Sequence, residues 1–342
     1  MSEFRMPSLG ADMEAGTLVA WHKAVGDRLA KGDTIAAVDT DKGVIDVEVF
    51  HAGTLTEILV PPGTRVPVGT PLARIQEAGS LEPAAEPHPG ADFQSAETSP
   101  GSRPEGEERA TGLPAERMRR TIAAAMARSK REIPHYYLWT TIDMQRSLAW
   151  LTDLNSTRPI GRRLLPGVLL LKATALALEE LPEFSAVWED DRVVLRRPAH
   201  VGVAISLRGG GLVVLALHDT AARPLDDLMD GLRDLTSRVR SGGEFAAGGG
   251  RMKSSELADS TITVTSLGDR GVDGVLGVIY PPQVALVGFG RTADRPWAVN
   301  GEVCSRPLIT ASLAADHRAS DGHRGGLFLD TIDRLLQEPE QL

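Results

Sequence analysis

The chain has 342 residues, 42% hydrophobic and 24% charged, which supplies enough apolar material for a sizeable core and excludes a disordered chain. A length of this order implies two or three domains, and the single cysteine, Cys304, excludes a disulfide framework or a cysteine-based zinc cluster. The net charge of −9 divides as −3 over residues 1–76, −7 over 77–116 and +1 over 117–342, so no large basic field invites nucleic acid.

Residues 1–76 contain an internal repeat. Ala-Gly-Thr-Leu occurs at 15–18 and again at 52–55, and the same offset pairs Gly26 with Gly63, Arg28 with Arg65, Leu29 with Val66, Gly32 with Gly69, Ile35 with Leu72 and Ala36 with Ala73. Two related halves with β-type alternation and glycine turns predict a pseudo-symmetric sandwich of short strands. Between the halves, strand-like residues flank Asp41-Lys42-Gly43, which predicts a tight hairpin turn with Lys42 at its tip. A lysine at a turn is ordinarily a solvated charge; its position at the junction of a repeat is what sets Lys42 apart.

Residues 77–116 read as a linker. Pro83, Pro87, Pro89, Pro100, Pro104 and Pro114 are interspersed with acidic residues, and the segment has almost no large apolar side chain. Such a stretch cannot bury enough surface to offset its ordering entropy, and charge repulsion and proline stiffness favour extension.

From 117 to 342 the composition becomes that of a mixed α/β domain. Helices are predicted over Met118–Lys130, Pro166–Glu180 and Pro224–Arg240, the last striped by Leu225, Leu228, Leu232, Leu235 and Val239. Strands are predicted over His135–Asp143, Val201–Leu207, Leu212–Leu217, Thr261–Thr265 and Val284–Phe289. Near the C-terminus stands Asp316-His317-Arg318-Ala319-Ser320-Asp321-Gly322. The longest apolar stretch, Leu164–Leu178, is broken by Pro166, Gly167 and Lys172, so no membrane span is expected. Met1 leads directly into polar residues, no secretory signal is expected, and the expected compartment is the cytoplasm.

Residues 1–76 resemble the lipoyl domains of 2-oxo acid dehydrogenase complexes, through Met6-Pro7-Ser8-Leu9-Gly10 and Asp39-Thr40-Asp41-Lys42. The biotin carriers, which are related, have methionines beside their lysine, whereas Asp41 and Gly43 flank Lys42. The resemblance implies lipoic acid in amide linkage to Lys42. Residues from Met118 onward resemble the acyltransferase domain of the same complexes, which shares its fold with chloramphenicol acetyltransferase. The matching stretches include Ile133-Pro134-His135-Tyr136-Tyr137-Leu138, Val201-Gly202-Val203-Ala204, Thr263-Val264-Thr265-Ser266-Leu267-Gly268 and the Asp316–Gly322 motif. The expected fold is therefore an all-β lipoyl domain, a biotinyl/lipoyl-like sandwich, followed by an α/β chloramphenicol-acetyltransferase-like domain. The chain is identified as a member of the dihydrolipoamide acyltransferase family.

The resemblance also assigns roles. A thiol attacking a thioester must lose its proton, and a histidine is the natural base, so His317 is expected to deprotonate coenzyme A. The oxyanion donor of the family falls on Thr265, and Asp321 is expected to fix the motif loop through a charge pair with an arginine. No metal is expected, and His135 and His323 are left as structural or surface residues. The implied partners are a 2-oxo acid decarboxylase, dihydrolipoamide dehydrogenase and further copies of the chain as trimers or a larger core, with no nucleic acid and no membrane. Acetyl is the expected acyl group; branched-chain specificity, or a non-catalytic lipoyl carrier or scaffold, are the alternatives. The small helical domain that docks partner enzymes in related chains has no counterpart in 77–116. Leu215, Ser266 and Ala258-Asp259-Ser260 replace the family's proline, asparagine and Gly-Gly.

Overall fold

A repeat whose halves cannot bury an apolar face alone has to bond across its own pseudo-two-fold, and the computed structural model of this protein shows those bonds. It describes residues 2–8, 13, 15–40, 43–77, 114–207, 211–240, 252–268 and 271–342. The first unit comprises β1 (Ser2–Arg5), β2 (Ala15–Trp21), β3 (Arg28–Leu29), β4 (Thr34–Thr40), β5 (Gly43–Glu48), β6 (Gly53–Ile58), β7 (Arg65–Pro67) and β8 (Pro71–Glu77). One sheet runs β1-β8-β6-β3, and the facing sheet contains β5-β4-β2-β7. The Gly26 amide donates to the Leu55 carbonyl at 2.7 Å, and the Gly63 amide donates to the Leu18 carbonyl at the same distance. In return the Leu55 amide donates to Asp27 at 3.0 Å and the Leu18 amide to Thr64 at 2.9 Å. Each half therefore completes the turn of the other. Leu18 and Leu55, with Ile35 and Leu72, are fully buried between the sheets.

β4 and β5 remain paired to Thr40 and Gly43, which leaves two residues to connect them. Those two, Asp41 and Lys42, lie outside the described residues, as does most of the segment predicted as a linker.

The second unit opens with α1 (Pro114–Glu132) and β9 (His135–Asp143), followed by α2 (Gln145–Ser156) and α3 (Pro166–Glu180). α3 starts on proline and is buried almost all round. Its Lys172 is accommodated by donating to the Ala221 and Arg223 carbonyls at 2.6 and 2.8 Å, and burial lowers its pKa. β10 (Ala186–Glu189) and β11 (Arg192–Leu195) form a separate hairpin. β12 (Val201–Ser206), β13 (Leu212–Leu217) and α4 (Leu225–Arg240) come next, and α4 has Asp226 and Asp227 in its first turn and Arg238 and Arg240 in its last, as the helix dipole favours. The remaining elements are β14 (Met252–Lys253), α5 (Ser254–Ala258), β15 (Ile262–Ser266), β16 (Ala285–Phe289), β17 (Ala293–Val299), β18 (Glu302–Asp316) and α6 (Gly322–Gln337).

The main sheet has the order β13-β12-β15-β16-β18-β17, with β9 also pairing along β18. β12, β15 and β16 are parallel and the other pairings antiparallel. Fifteen-residue β18 is the organising strand. Its first half pairs with β17, and its second half lies between β16 and β9. Helices α2, α3, α4 and α6 contribute to the principal core with the buried residues of this sheet. Among the described residues no helix is long and apolar enough to cross a membrane.

The two units are joined by backbone bonding as well as by sequence. β14 pairs in parallel with β5, aligning Met252 with Ile45 and Lys253 with Asp46. The first unit's second sheet thus takes its outer strand from the second unit.

Gly26 and Gly63 have φ of +99° and +85°, and a Cβ at either would meet nothing within 4 Å. Alanine there costs only the left-handed conformation, on the order of 1 kcal/mol. Gly26→Ala and Gly63→Ala should each speed exchange of the Leu18 and Leu55 amides by about fivefold, equally in both halves. Hydrogen exchange read by NMR checks this, and an effect confined to the mutated half would contradict the reciprocal bonding.

Candidate active site

The C-terminal motif is set by where β18 ends. Asp316 is its last residue and is 0% exposed. A carboxylate in that position needs partners, and it receives the Arg318 backbone amide at 2.9 Å and the Arg318 guanidinium at 2.7 to 3.1 Å. The Asp316 carbonyl accepts the amides of Ala319 and Ser320, so the chain turns tightly here. Arg318 also lies over the ring of Trp188, 4.3 Å from its centroid. Trp188 in turn donates its backbone amide to Pro282.

This fold of the loop presents His317 at the surface. Its amide donates to the Pro134 carbonyl at 3.0 Å, tying it to the start of β9. Its ring meets that of Tyr136 edge-on, with centroids 5.2 Å apart. Tyr136 is held by a 2.8 Å hydrogen bond between its hydroxyl and Ser320, and burial raises its pKa. The tyrosine has room only because α6 carries glycine opposite. A Cβ on Gly325 would stand 2.9 Å from the Tyr136 hydroxyl and 2.9 Å from Leu138.

Asp321 departs from expectation. Within the chain its carboxylate caps α6 by accepting the Arg324 amide at 2.9 Å; that bond, followed by one from the His323 amide and the fields of His323 and His317, lowers its pKa. The aspartate–arginine pair that fixes the loop is Asp316–Arg318, and Arg324 pairs instead with Glu183 at 2.5 Å. Sequence reading placed Asp316 in the motif but gave the anchoring role to Asp321, because a buried carboxylate at a strand end has no pattern of its own.

Thr265 stands near the end of β15, half-buried and opposite Gly288, which is opposite Ser312. From Ser312 to Asp316 the strand advances four residues, and two strand spacings separate β15 from β18. Thr265 and Asp316, the residue before His317, are therefore on the order of 16 Å apart, which keeps Thr265 and His317 of one chain well separated. They cannot act on one atom within a single chain. Lys42 lies outside the described residues.

His135, His200 and His218 have structural work. His135 donates from Nδ1 to the Ile133 carbonyl at 2.8 Å and accepts the Ile279 amide on Nε2 at 3.1 Å, which requires the neutral ring. Burial lowers its pKa below the ordinary 6.5. His218 bonds Asp259 at 3.0 Å, which raises its pKa, and the neighbouring His200 is lowered by burial. In the Ala258-Asp259-Ser260 stretch, expected to replace a Gly-Gly, Ser260 packs against Gly202 so closely that a Cβ on that glycine would lie 2.8 Å from its hydroxyl. Leu215, in place of proline, is fully buried core. Among the described residues no group of three His, Cys, Asp or Glu side chains could hold a metal.

Removing Asp316 leaves Arg318 half-anchored over Trp188. Asp316→Ala should cost about 3 kcal/mol, the lower end for a broken buried pair because Arg318 keeps contact with water, and denaturant unfolding measures it. For His135, the unfolded chain takes up a proton near pH 6.5 while the folded chain resists it. Its contribution to stability is complete above 6.5 and is lost as the pH falls from there towards the depressed folded value. His135→Gln keeps an acceptor for Ile279 and does not titrate, so its melting temperature should depend less steeply on pH between about 7 and 5 than that of the parent. Parallel melts across that range check the sign.

The family model described as 2-oxoacid dehydrogenases acyltransferase (catalytic domain) matches residues 107–342, and that described as biotin-requiring enzyme matches residues 2–75. Over 98% of its length the chain is 25% identical to the dihydrolipoyllysine-residue acetyltransferase component of the mitochondrial pyruvate dehydrogenase complex of Schizosaccharomyces pombe, covering 88% of that protein. It is 26% identical, again over 98% of its length, to the corresponding component of the acetoin cleaving system of Bacillus subtilis, covering 98% of it. The lipoamide acyltransferase of the branched-chain alpha-keto acid dehydrogenase complex of Pseudomonas putida is 26% identical, with 98% of this chain and 97% of that one covered. Among solved structures, the dihydrolipoamide acetyltransferase of Azotobacter vinelandii superposes with a TM-score of 0.60 at 23% identity, covering 66% of this chain and 90% of that one. The cubic core of a pyruvate dehydrogenase multienzyme complex gives 0.60 at 23% identity, with 71% and 98% covered. The second unit has the fold of those cores, and the chain belongs to the 2-oxoacid dehydrogenase acyltransferase family, with a lipoyl-type domain ahead of its catalytic domain.

Proposed function

We propose that this protein is the core acyltransferase of a 2-oxo acid dehydrogenase complex, moving an acetyl group from a dihydrolipoyl thioester on Lys42 to coenzyme A. The observation that carries this reading is the presence on one chain of a lipoyl-type domain and of a motif loop that presents His317 at the surface. β4 and β5 pair up to the two residues that include Lys42, a setting that suits an arm carried at the end of a rigid ribbon. Lipoate bound there would supply the sulfur that carries the acyl group.

The chain's own residues do the rest. His317 accepts the proton of the coenzyme A thiol as its sulfur attacks the thioester carbonyl. The Thr265 hydroxyl donates to the oxygen on which charge develops. As the carbonyl re-forms and the original carbon–sulfur bond breaks, His317 returns the proton to the departing sulfur. Asp321 caps the helix behind the loop. The Azotobacter protein has been investigated for the role of a serine, a histidine and an asparagine in its catalytic mechanism, and those three residues are spaced along that chain as Thr265, His317 and Asp321 are along this one.

Because Thr265 and His317 of one chain are far apart, we place each site between two chains of a trimer, with the base from one and the donor from the next. Trp139, 65% exposed and level with Thr265 in the sheet register, suits such an interface. The Pro-rich segment would tether Lys42 to this core while it visits a 2-oxo acid decarboxylase and dihydrolipoamide dehydrogenase. The Tyr136 ring stands beside His317, and a bulky aromatic there would narrow the room for an acyl chain, which favours acetyl. A reducing, cytoplasmic setting fits a thiol-based carrier.

Assays of transfer between acetyl-coenzyme A and dihydrolipoamide test the assignment. His317→Ala should lower kcat by about 10²–10⁴ and Thr265→Val by about 10²–10³. Mixed trimers of the two variants should regain part of the activity each lacks; demonstrable mixed trimers as inactive as either parent would refute the shared site. A specificity constant higher for isobutyryl- than for acetyl-coenzyme A would move the substrate to the branched-chain class.

A further inference from the structure

β5 is the outer strand contributed by the first unit to its second sheet, and an open strand edge is a template for pairing. Here the segment just before β15 covers it. Glu48, at the end of β5, shows how closely the two surfaces are matched. It is only 7% exposed, and the partners that satisfy it belong to the other unit. The Ser255 hydroxyl donates to its Oε2 at 2.5 Å, the Lys253 ammonium lies 3.4 Å from its Oε1, and its own amide donates to Ser254 Oγ at 3.3 Å. Glu256, next along, is gripped by both guanidinium nitrogens of Arg238, so the segment is anchored to α4. Leu257 packs against the cores of both units. Backbone pairing, a buried carboxylate and an apolar contact thus converge on one edge.

We infer that residues 252–257 form a docking site for the chain's own lipoyl-type domain, which seats β5 by parallel strand addition and holds the domain at rest between transfers. The register makes the dock specific. β5 is held by β4 in its own sheet, so a slip of one residue against β14 would part Lys253 from Asp46 and Ser255 from Glu48. The pairing begins at Ile45, short of Gly43, so the dock grips the ribbon behind Lys42 without pairing its end. Covering β5 also denies that edge to other chains.

Asp46 and Lys253 are register partners, at a separation that a disulfide spans. In a full-length chain carrying Cys304→Ser, Asp46→Cys and Lys253→Cys, mild oxidation should close an intrachain disulfide. The control replaces Lys253→Cys with Glu302→Cys, which lies toward the opposite edge of the catalytic sheet. Closure should be at least about tenfold faster than in the control, reflecting the higher effective concentration of a docked pair. Ser255→Asp, which sets a like charge against Glu48, should bring the rate back towards that of the control. Equal rates for the two pairs would overturn the dock. A product of doubled mass on a non-reducing gel, with no intrachain species, would overturn its assignment to the chain's own domain. The readout requires neither lipoylation nor acyl transfer, so its failure is distinct from a failure of the proposed activity.

Discussion

The second unit turns on a carboxylate that has been taken out of water. Asp316 closes the longest strand of the sheet, and its side chain is fully buried. Ionised groups survive such burial only when charge-assisted hydrogen bonds replace the lost solvation. Arg318, two residues on, supplies four such contacts, which forces the chain to reverse immediately after β18. His317 sits between the two charged residues and is turned outward as a consequence. The backbone position of His317 is thus fixed by a neighbouring ion pair, while its ring rests edge-on against Tyr136.

That constraint spreads through contacts in both directions. Towards the hairpin, Arg318 covers Trp188, whose amide bonds Pro282, and the adjacent Gln283 receives the Thr263 hydroxyl and donates to the Ser260 carbonyl. Towards the helix, Ser320 bonds Tyr136, and Gly325 lets α6 close on that ring. Asp321 then starts α6 by satisfying one of its unpaired amides. Two aspartates five residues apart therefore do different work. One is buried and anchors the loop; the other is exposed, caps the helix and lends charge near His317.

The sequence was most legible where a single element bears a local signature. The 37-residue repeat, the glycine turns and the proline-started α3 could all be read directly, as could β9 and β13, whose ends match the reading residue for residue. β18 could not. Its buried half, Leu308–Ala315, has neighbours on both sides and both faces covered, so no alternation of polar and apolar residues marks it. α6 was overlooked because Gly322, Gly325 and Gly326 suppress helix propensity, although Asp321 is a strong N-cap signal. For the candidate site, His317 and Thr265 were nameable from motif resemblance, whereas the Asp316–Arg318 pair and the separation of Thr265 from His317 depend on long-range register. No local pattern encodes register between strands that are remote in sequence.

The same register keeps Thr265 and His317 of one chain apart. β15 and β18 are fixed by continuous pairing through β16, so no loop motion could bring Thr265 to His317 without breaking the sheet. A breathing fluctuation of a core strand costs a large part of the global stability, far more than the side-chain rearrangements that close ordinary active sites. In the proposed trimer a second chain removes the need for any such opening, because its Thr265 arrives on an equally rigid strand. The first unit follows parallel logic, since neither half of its repeat completes its own turns and its β5 edge is finished by β14. In the first unit rigid strands leave bonds unsatisfied, and the complement comes from another rigid strand. The geometry at the β5–β14 junction is then set by backbone pairing, which is less tolerant of displacement than contact between flexible loops.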